Sequence, residues 1–134
     1  PGEAGRLLGT STADVQRDRR DAVIALHRRW GGTIVLKGAG TLVYDGERLT
    51  LCPFGNPGMA SGGMGDALTG IIAGLAGQLE SPGEAARIGV LLHALAADAA
   101  ASDAGERGLL ATDLASYART LANPQPVSSH ADHT

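Results

Sequence analysis

Asp66 is the residue at which this chain can do chemistry. It closes the loop Gly62-Gly63-Met64-Gly65, inside the run Gly55–Gly77, where eight of 23 residues are glycine. From Asp66 onward, apolar residues fall at Leu68, Ile71, Ile72, Leu75, Ala76 and Leu79, the spacing of a buried helical face. A glycine-rich loop therefore runs straight into a helix N-terminus. The first amides of a helix have no internal partner, and the helix dipole adds partial positive charge there. Glycine lets a bulky anion approach the backbone closely. The combination predicts an anion hole at Gly62, Gly63, Met64 and Gly65, with phosphate as its natural occupant. A P-loop would carry Lys after its last glycine; here Asp66 follows instead. A carboxylate beside a phosphate site is repulsive unless it has another task, and that task is to accept the proton of a hydroxyl attacking phosphorus. Capping the helix is the competing role; the glycine loop in front favours catalysis.

A second candidate lies at Lys37-Gly38-Ala39-Gly40-Thr41, directly after the β-branched run Thr33-Ile34-Val35-Leu36. Ligands of open α/β sheets sit beyond the carboxyl ends of strands. The amides of this loop, the Lys37 ammonium and the Thr41 hydroxyl are accordingly candidate nucleotide contacts, with an ordinary turn as the alternative.

The elements that must position these groups follow from pattern. A short helix ends at Leu8-Gly9. A longer one, capped by Thr12, runs from Val15 to Trp30 with Val15, Ala22, Val23, Leu26 and Trp30 as its apolar stripe and Gly31-Gly32 as its stop. Its arginines 17, 19, 20, 28 and 29 alternate with aspartates and read as a solvated face. Its successor strand Thr33–Leu36 reads as central. Leu42–Tyr44 and Arg48–Leu51 read as a hairpin about Asp45-Gly46. Ser81-Pro82-Gly83-Glu84 is a capping box for a helix with Ile88, Leu91, Leu92, Leu95 and Ala99 on one face. Gly70, Gly74 and Gly77 would let the preceding helix approach closely. His93 reads as a satisfied core residue. Thr112 caps a last helix, Asp113 to Leu121, stopped by Asn123-Pro124. Residues 124–134 read as a disordered tail, in which His130 and His133 make no convincing metal site.

A chain of 134 residues, 43% hydrophobic, bounds one domain or a piece of one. A net charge of −3 gives no electrostatic case for nucleic acid or a membrane surface. The apolar run Ile88–Ala101 is interrupted by His93 and Asp98 and is short for a bilayer. The single cysteine, Cys52, fits a reducing compartment.

Taken together, Lys37–Thr41, the run Gly55-Asn56-Pro57-Gly58-Met59-Ala60-Ser61-Gly62-Gly63-Met64-Gly65-Asp66 and Leu92–Asp98 resemble the ADP/ATP-dependent NAD(P)H-hydrate dehydratases. Gly105–Leu114 is similar to the C-terminal part of that family. The resemblance implies an α/β chain: the C-terminal portion of a ribokinase-like three-layer α/β/α sandwich, spanning residues 1–123. It implies that ADP or ATP, with Mg²⁺, phosphorylates the ring hydroxyl of hydrated NADH or NADPH, and that phosphate is then eliminated to restore the coenzyme. Lys37, Gly38, Ala39, Gly40, Thr41 and Gly65 would contact the adenine nucleotide. Asp66 and Asn56 would meet the hydrated substrate, with Asp66 as base.

The resemblance also implies a histidine just before Pro1, a preceding half of the catalytic domain, an N-terminal epimerase domain in full-length bacterial relatives, a homotetramer and a cytoplasmic enzyme. The isolated chain is expected to be weak or inactive and to expose an unpaired strand edge. Two rivals remain: another ribokinase-like small-molecule kinase, which would stop at the phosphorylated product, and a non-catalytic nucleotide-binding module.

Overall fold

The computed structural model describes residues 1–123. Six helices flank a small sheet: α1 (Gly2–Leu8), α2 (Thr12–Arg17) and α3 (Arg19–Trp30) precede β1 (Ile34–Leu36), β2 (Thr41–Tyr44) and β3 (Leu49–Cys52), and α4 (Met64–Ala76), α5 (Pro82–Ala104) and α6 (Leu114–Ala122) follow. The strands form an antiparallel meander in the order β1-β2-β3. β2 is central and β1 lies at an edge, contrary to the reading of the Thr33–Leu36 strand as central.

Period-two alternation in the strands divides the core into layers. Leu36 and Leu42 face a cluster with Val15, Ala22, Val23 and Leu26 from α2 and α3. Val43 and Cys52 face the opposite way, into a cluster with Leu68 of α4 and Ala86, Val90 and Ala94 of α5. Helices therefore cover both faces of the sheet, as a three-layer α/β/α sandwich requires. Burying a side chain such as Val23 or Leu26 contributes about 1.5–3 kcal/mol. A third cluster joins Met64 of α4 to Ala96, Ala97 and Ala100 of α5 and to Leu114 and Ala118 of α6.

Several local expectations give way. The long first helix is two helices, α2 and α3, broken at Asp18, whose φ of −140° and ψ of 82° are not helical. The reason is chemical: the Asp18 carboxylate accepts from Asp21 N at 2.9 Å and starts a new helix. Ser11, not Thr12, caps α2, in a reciprocal capping box with Asp14. Asp14 also accepts from Thr10 and Arg17, and its pKa is pulled down to about 2, chiefly by the Ser11 hydroxyl. Trp30, the last residue of α3, is 60% exposed and does not belong to the buried stripe. The β2–β3 connection is a four-residue loop, with Tyr44 opposite Leu49 and Asp45 accepting from Glu47 N and Arg48 N.

α5 buries its small residues rather than its large ones. Ala85, Ala86, Gly89, Val90, Ala94, Ala96, Ala97 and Ala100 are buried, while Ile88 and Leu91 are each 40% exposed. The close approach of α4 to α5 occurs at Gly89, where an added Cβ would stand 2.6 Å from Ile72 Cγ1. Gly70 and Gly74, expected to permit that approach, face open space. At 23 residues α5 has the length and apolarity to cross a bilayer, beyond what its interrupted apolar run suggests. Here it packs on the sheet, α4 and α6 as the core helix. Ser81 caps it as expected, accepting from Glu84 N. Thr112 does not cap α6; Asp113 instead accepts from Leu110 N at 2.8 Å and closes a 3₁₀ turn. The tail from residue 124, with His130 and His133, lies outside the described residues.

Candidate functional site

The loop between β1 and β2 is held from behind. Arg19, the first residue of α3, donates to the carbonyl oxygens of Ala39 at 2.6 Å and Leu36 at 3.1 Å. Gly40 turns the chain with φ 71°, a left-handed conformation that favours glycine. With these carbonyls committed to Arg19, the amides of Gly38, Ala39 and Gly40 donate to no group among the described residues. They are free donors at the mouth of a cavity.

A second loop faces the first. Gly55 N donates to Asp98 Oδ2 and Asn56 Nδ2 donates to Asp98 Oδ1, each at 2.9 Å. Asn56 Oδ1 accepts from Gly58 N at 3.0 Å and caps the 3₁₀ turn Pro57–Ala60. Ser61 Oγ donates to the Leu109 carbonyl at 2.8 Å. Thus Asp98, from α5, latches the loop. Both ends of the Asn56 amide are committed to protein partners, so what Asn56 offers a ligand is shape.

Between the loops lies a cavity of about 480 Å³, lined by Lys37, Gly38, Ala39, Gly40, Thr41 and Asn56 among others. A second cavity, of about 650 Å³, opens beside the β1 edge and takes in Gly65, Asp66, Thr69 and the apolar side chains of Trp30, Val35 and Ile72. Lys37 and Leu68 line both. The sequence-based candidates are thus divided between two spaces that share a wall.

At that wall two positive features converge. α4 begins at Met64, two residues earlier than Asp66 alone suggested, with Gly63 as N-cap in the left-handed region. No side chain caps this end. The first backbone bond back into the helix is Ala67 N to Gly63 O, leaving the amides before it without a helical partner. Lys37 Nζ would stand 3.5 Å from a Cβ on Gly65. Among the described residues Lys37 forms no ion pair. An ammonium at the positive end of a helix dipole is unfavourable unless an anion joins them. Of the expected anion-hole residues, Gly65 lies at this point. Gly62 and Gly63 are exposed and line neither cavity, and the Met64 side chain is buried in the core.

Asp66 is exposed, at the third position of α4 rather than at its N-cap. Its carboxylate has no hydrogen bond or ion pair among the described residues. The capping role is therefore not the one it fills. His93 is not a satisfied core histidine: it is 2% exposed, lines the first cavity and leaves Nε2 without a partner. Burial first, and then the Lys37 charge, hold its pKa below the ordinary histidine value, against the Met64 backbone, which favours the protonated ring. The described residues contain no group of three or more His, Cys, Asp or Glu that could cage a metal ion.

Sequence reasoning missed Arg19 and Asp98, which act across about 20 and 42 positions of chain. No local signal marks either one.

The fold recurs in solved structures. The ADP/ATP-dependent NAD(P)H-hydrate dehydratase of Bacillus subtilis, co-crystallised with ATP/Mg²⁺ and soaked with CoA, matches with a TM-score of 0.84 and 32% identity, over 90% of this chain and 45% of that one. A ribokinase-like superfamily protein from Enterococcus faecalis matches with a TM-score of 0.67 and 31% identity, over 82% of this chain and 39% of that one. The molecule is in class a ribokinase-like α/β protein. The profile of the NAD(P)H-hydrate dehydratase family matches residues 1–120. The bifunctional NAD(P)H-hydrate repair enzyme Nnr of Coxiella burnetii is 56% identical over 92% of the chain and 26% of its own length. The ADP-dependent (S)-NAD(P)H-hydrate dehydratase of Neisseria meningitidis is 46% identical over 92% of the chain and 42% of its own length. The chain belongs to the NAD(P)H-hydrate dehydratase family. It spans about a quarter of the bifunctional relative and less than half of the single-function ones.

Proposed function

We propose that this chain supplies the nucleotide site and the base for an ADP- or ATP-dependent dehydration of hydrated NADH or NADPH. The observation that carries the reading is the meeting of Lys37 with the uncapped N-terminus of α4, between two cavities. The adenine nucleotide occupies the first cavity, with the free amides of Gly38–Gly40 and the Thr41 hydroxyl as contacts. Its terminal phosphoryl group lies against Lys37 and the amide of Gly65. The hydrated nicotinamide ring enters the second cavity, where apolar side chains suit it.

Asp66, unpaired in the first turn of α4, accepts the proton of the ring hydroxyl as the hydroxyl oxygen bonds to phosphorus. The bond from phosphorus to the nucleotide breaks, and AMP or ADP leaves. Loss of phosphate from the ring, with a proton from the neighbouring carbon, restores the double bond. Mg²⁺ bound with the nucleotide would neutralise phosphate charge; this chain's contribution there is the backbone and Lys37, since divalent magnesium is commonly held through substrate phosphates and few carboxylates.

The dependence printed in the names of the Neisseria and Bacillus relatives supports ADP or ATP as donor. The bifunctional names of others support a further domain in the longer protein, which the resemblance makes an epimerase. The resemblance carries a homotetramer, which gel filtration of that protein checks. Buried, unpaired Cys52 accords with a cytoplasmic, reducing setting.

The test is the recovery of reduced-nicotinamide absorbance from hydrated NADH, with Mg²⁺ and ADP or ATP in turn. It is run on the chain joined to the preceding half of the Neisseria relative. Recovery that requires nucleotide and Asp66 supports the reading. Accumulation of a phosphorylated alcohol without coenzyme recovery would make this a small-molecule kinase. Nucleotide binding without any turnover would leave a binding module.

A further inference from the structure

His93 is the buried titratable group that the proposed chemistry does not use. It projects from α5 into the wall of the first cavity, among Lys37, Val90 and Ala94. Its Nε2 has no hydrogen-bond partner, although the residue is 98% buried by the 2% exposure it retains. A buried polar atom left unpartnered costs stability and calls for an explanation, of which a functional role is one. The ring shares the wall of the first cavity with Lys37; burial and then the Lys37 charge lower its pKa, and the backbone of Met64, the first residue of α4, opposes them. It therefore stands behind the junction where Lys37 meets the uncapped helix end.

We infer that His93, buried with an unpartnered Nε2 in the cavity wall it shares with Lys37, is the proton-uptake group of this anion site and takes a proton when a polyphosphate binds at Lys37 and Gly65. The inference rests on the nucleotide reading above. Its physical basis is a reversal of local field. In the free protein burial first, and then the Lys37 ammonium, oppose a second cation. A polyphosphate brings more than one negative charge to the same point, outweighs the ammonium, and makes imidazolium the favoured form.

No other charge on the surrounding elements competes. On α5, Arg87 is paired with Asp45 at 2.6 Å and Asp98 is engaged by Gly55 and Asn56. On α4, Asp66 lines the second cavity. Of the charged groups around it, only Lys37 shifts His93. Because Nε2 is closed off from solvent, His93 acts through charge and through Lys37 rather than by touching the transferred group. It is a positioning residue.

The experiment is calorimetric titration, with ADP, of the chain joined to the preceding half of the Neisseria relative, in buffers of differing ionisation heat near neutral pH. A parallel titration uses pyrophosphate. Wild-type protein is expected to take up a proton on binding, a fraction rising toward about one as pH approaches the midpoint between free and bound values. His93→Gln, which keeps a polar side chain of similar reach, is expected to lose that share, and with it the strengthening of ADP binding as pH falls. Resonance-assigned NMR titration of His93 in the wild-type protein needs no variant: its midpoint is expected to rise by about one unit or more with ADP or with pyrophosphate. ADP binding with an unmoved His93 midpoint, or equal uptake in His93→Gln, overturns the inference and leaves the nucleotide reading standing. Pyrophosphate binding that moves His93, with no binding of ADP, keeps the inference for an anion site and overturns the nucleotide reading. Binding of neither overturns both.

Discussion

The cavity under the 37–41 loop is walled by segments tied down over long distances, while the space beside it presents Asp66 with its carboxylate untethered. On the first side, Arg19 fixes the carbonyls of Leu36 and Ala39, and Asp98 fixes Gly55 and Asn56. On the second, Asp66 is exposed and lies near the edge strand β1. Binding sites gain affinity when their groups are ordered before the ligand arrives. A general base gains nothing from a protein partner that would compete for its lone pairs or lower its basicity. The contrast fits the proposed division, with recognition on the tethered side and proton transfer on the free one.

The contrast can be broken at four points. Asp66→Asn should lower coenzyme recovery by roughly 10²–10⁴-fold. Nucleotide affinity, read by calorimetry, should stay near wild type; a parallel loss of affinity would erase the division between the two sides. Arg19→Met removes two charge-assisted bonds from behind the nucleotide loop. It should weaken ADP binding by about 10–100-fold while leaving the fold intact by circular dichroism. Arg19→Lys should rescue only part, because an ammonium cannot span both carbonyls as the guanidinium fork does.

Asp98→Ala frees Gly55 N and Asn56 Nδ2 together. A stability loss of about 1–2 kcal/mol in urea unfolding is expected, with a smaller effect on ADP binding. An unchanged midpoint would mean that the 3₁₀ turn holds itself. The mildest effect concerns Asp45, far from either cavity. The Arg48 amide first, then Arg87 and the Glu47 amide, hold its carboxyl well below the usual carboxylate range. A depressed folded value stabilises the protein above the unfolded pKa of about 3.9 and is lost as pH falls below it. The melting temperature should therefore decline on the acid side of pH about 4, and Asp45→Asn should flatten that decline.

The glycine loop, the helix behind it and the N-cap at Ser81 are local features, and each is legible where it stands. Hydrogen bonds between near neighbours and the run of apolar spacing determine them. The three-layer arrangement was accessible through resemblance, because the motif from Gly55 to Asp66 is long. The face that α5 buries was not legible. The large residues Ile88 and Leu91 mark an apolar stripe by pattern, yet close packing of α4 and α5 at Gly89 selects the small ones.

What the sequence alone determined is the presence of a glycine-rich helix start with a carboxylate beside it, since both lie within a few residues of one another. What only the tertiary structure decided is how those residues are distributed in space. Arg19 is brought across about 20 positions to hold the nucleotide loop, Asp98 across about 42 to latch its neighbour, and His93 to the wall behind Lys37. Pairings over such separations depend on which helix face meets which strand, and that follows from packing the whole core, for which no local run of residues carries the information.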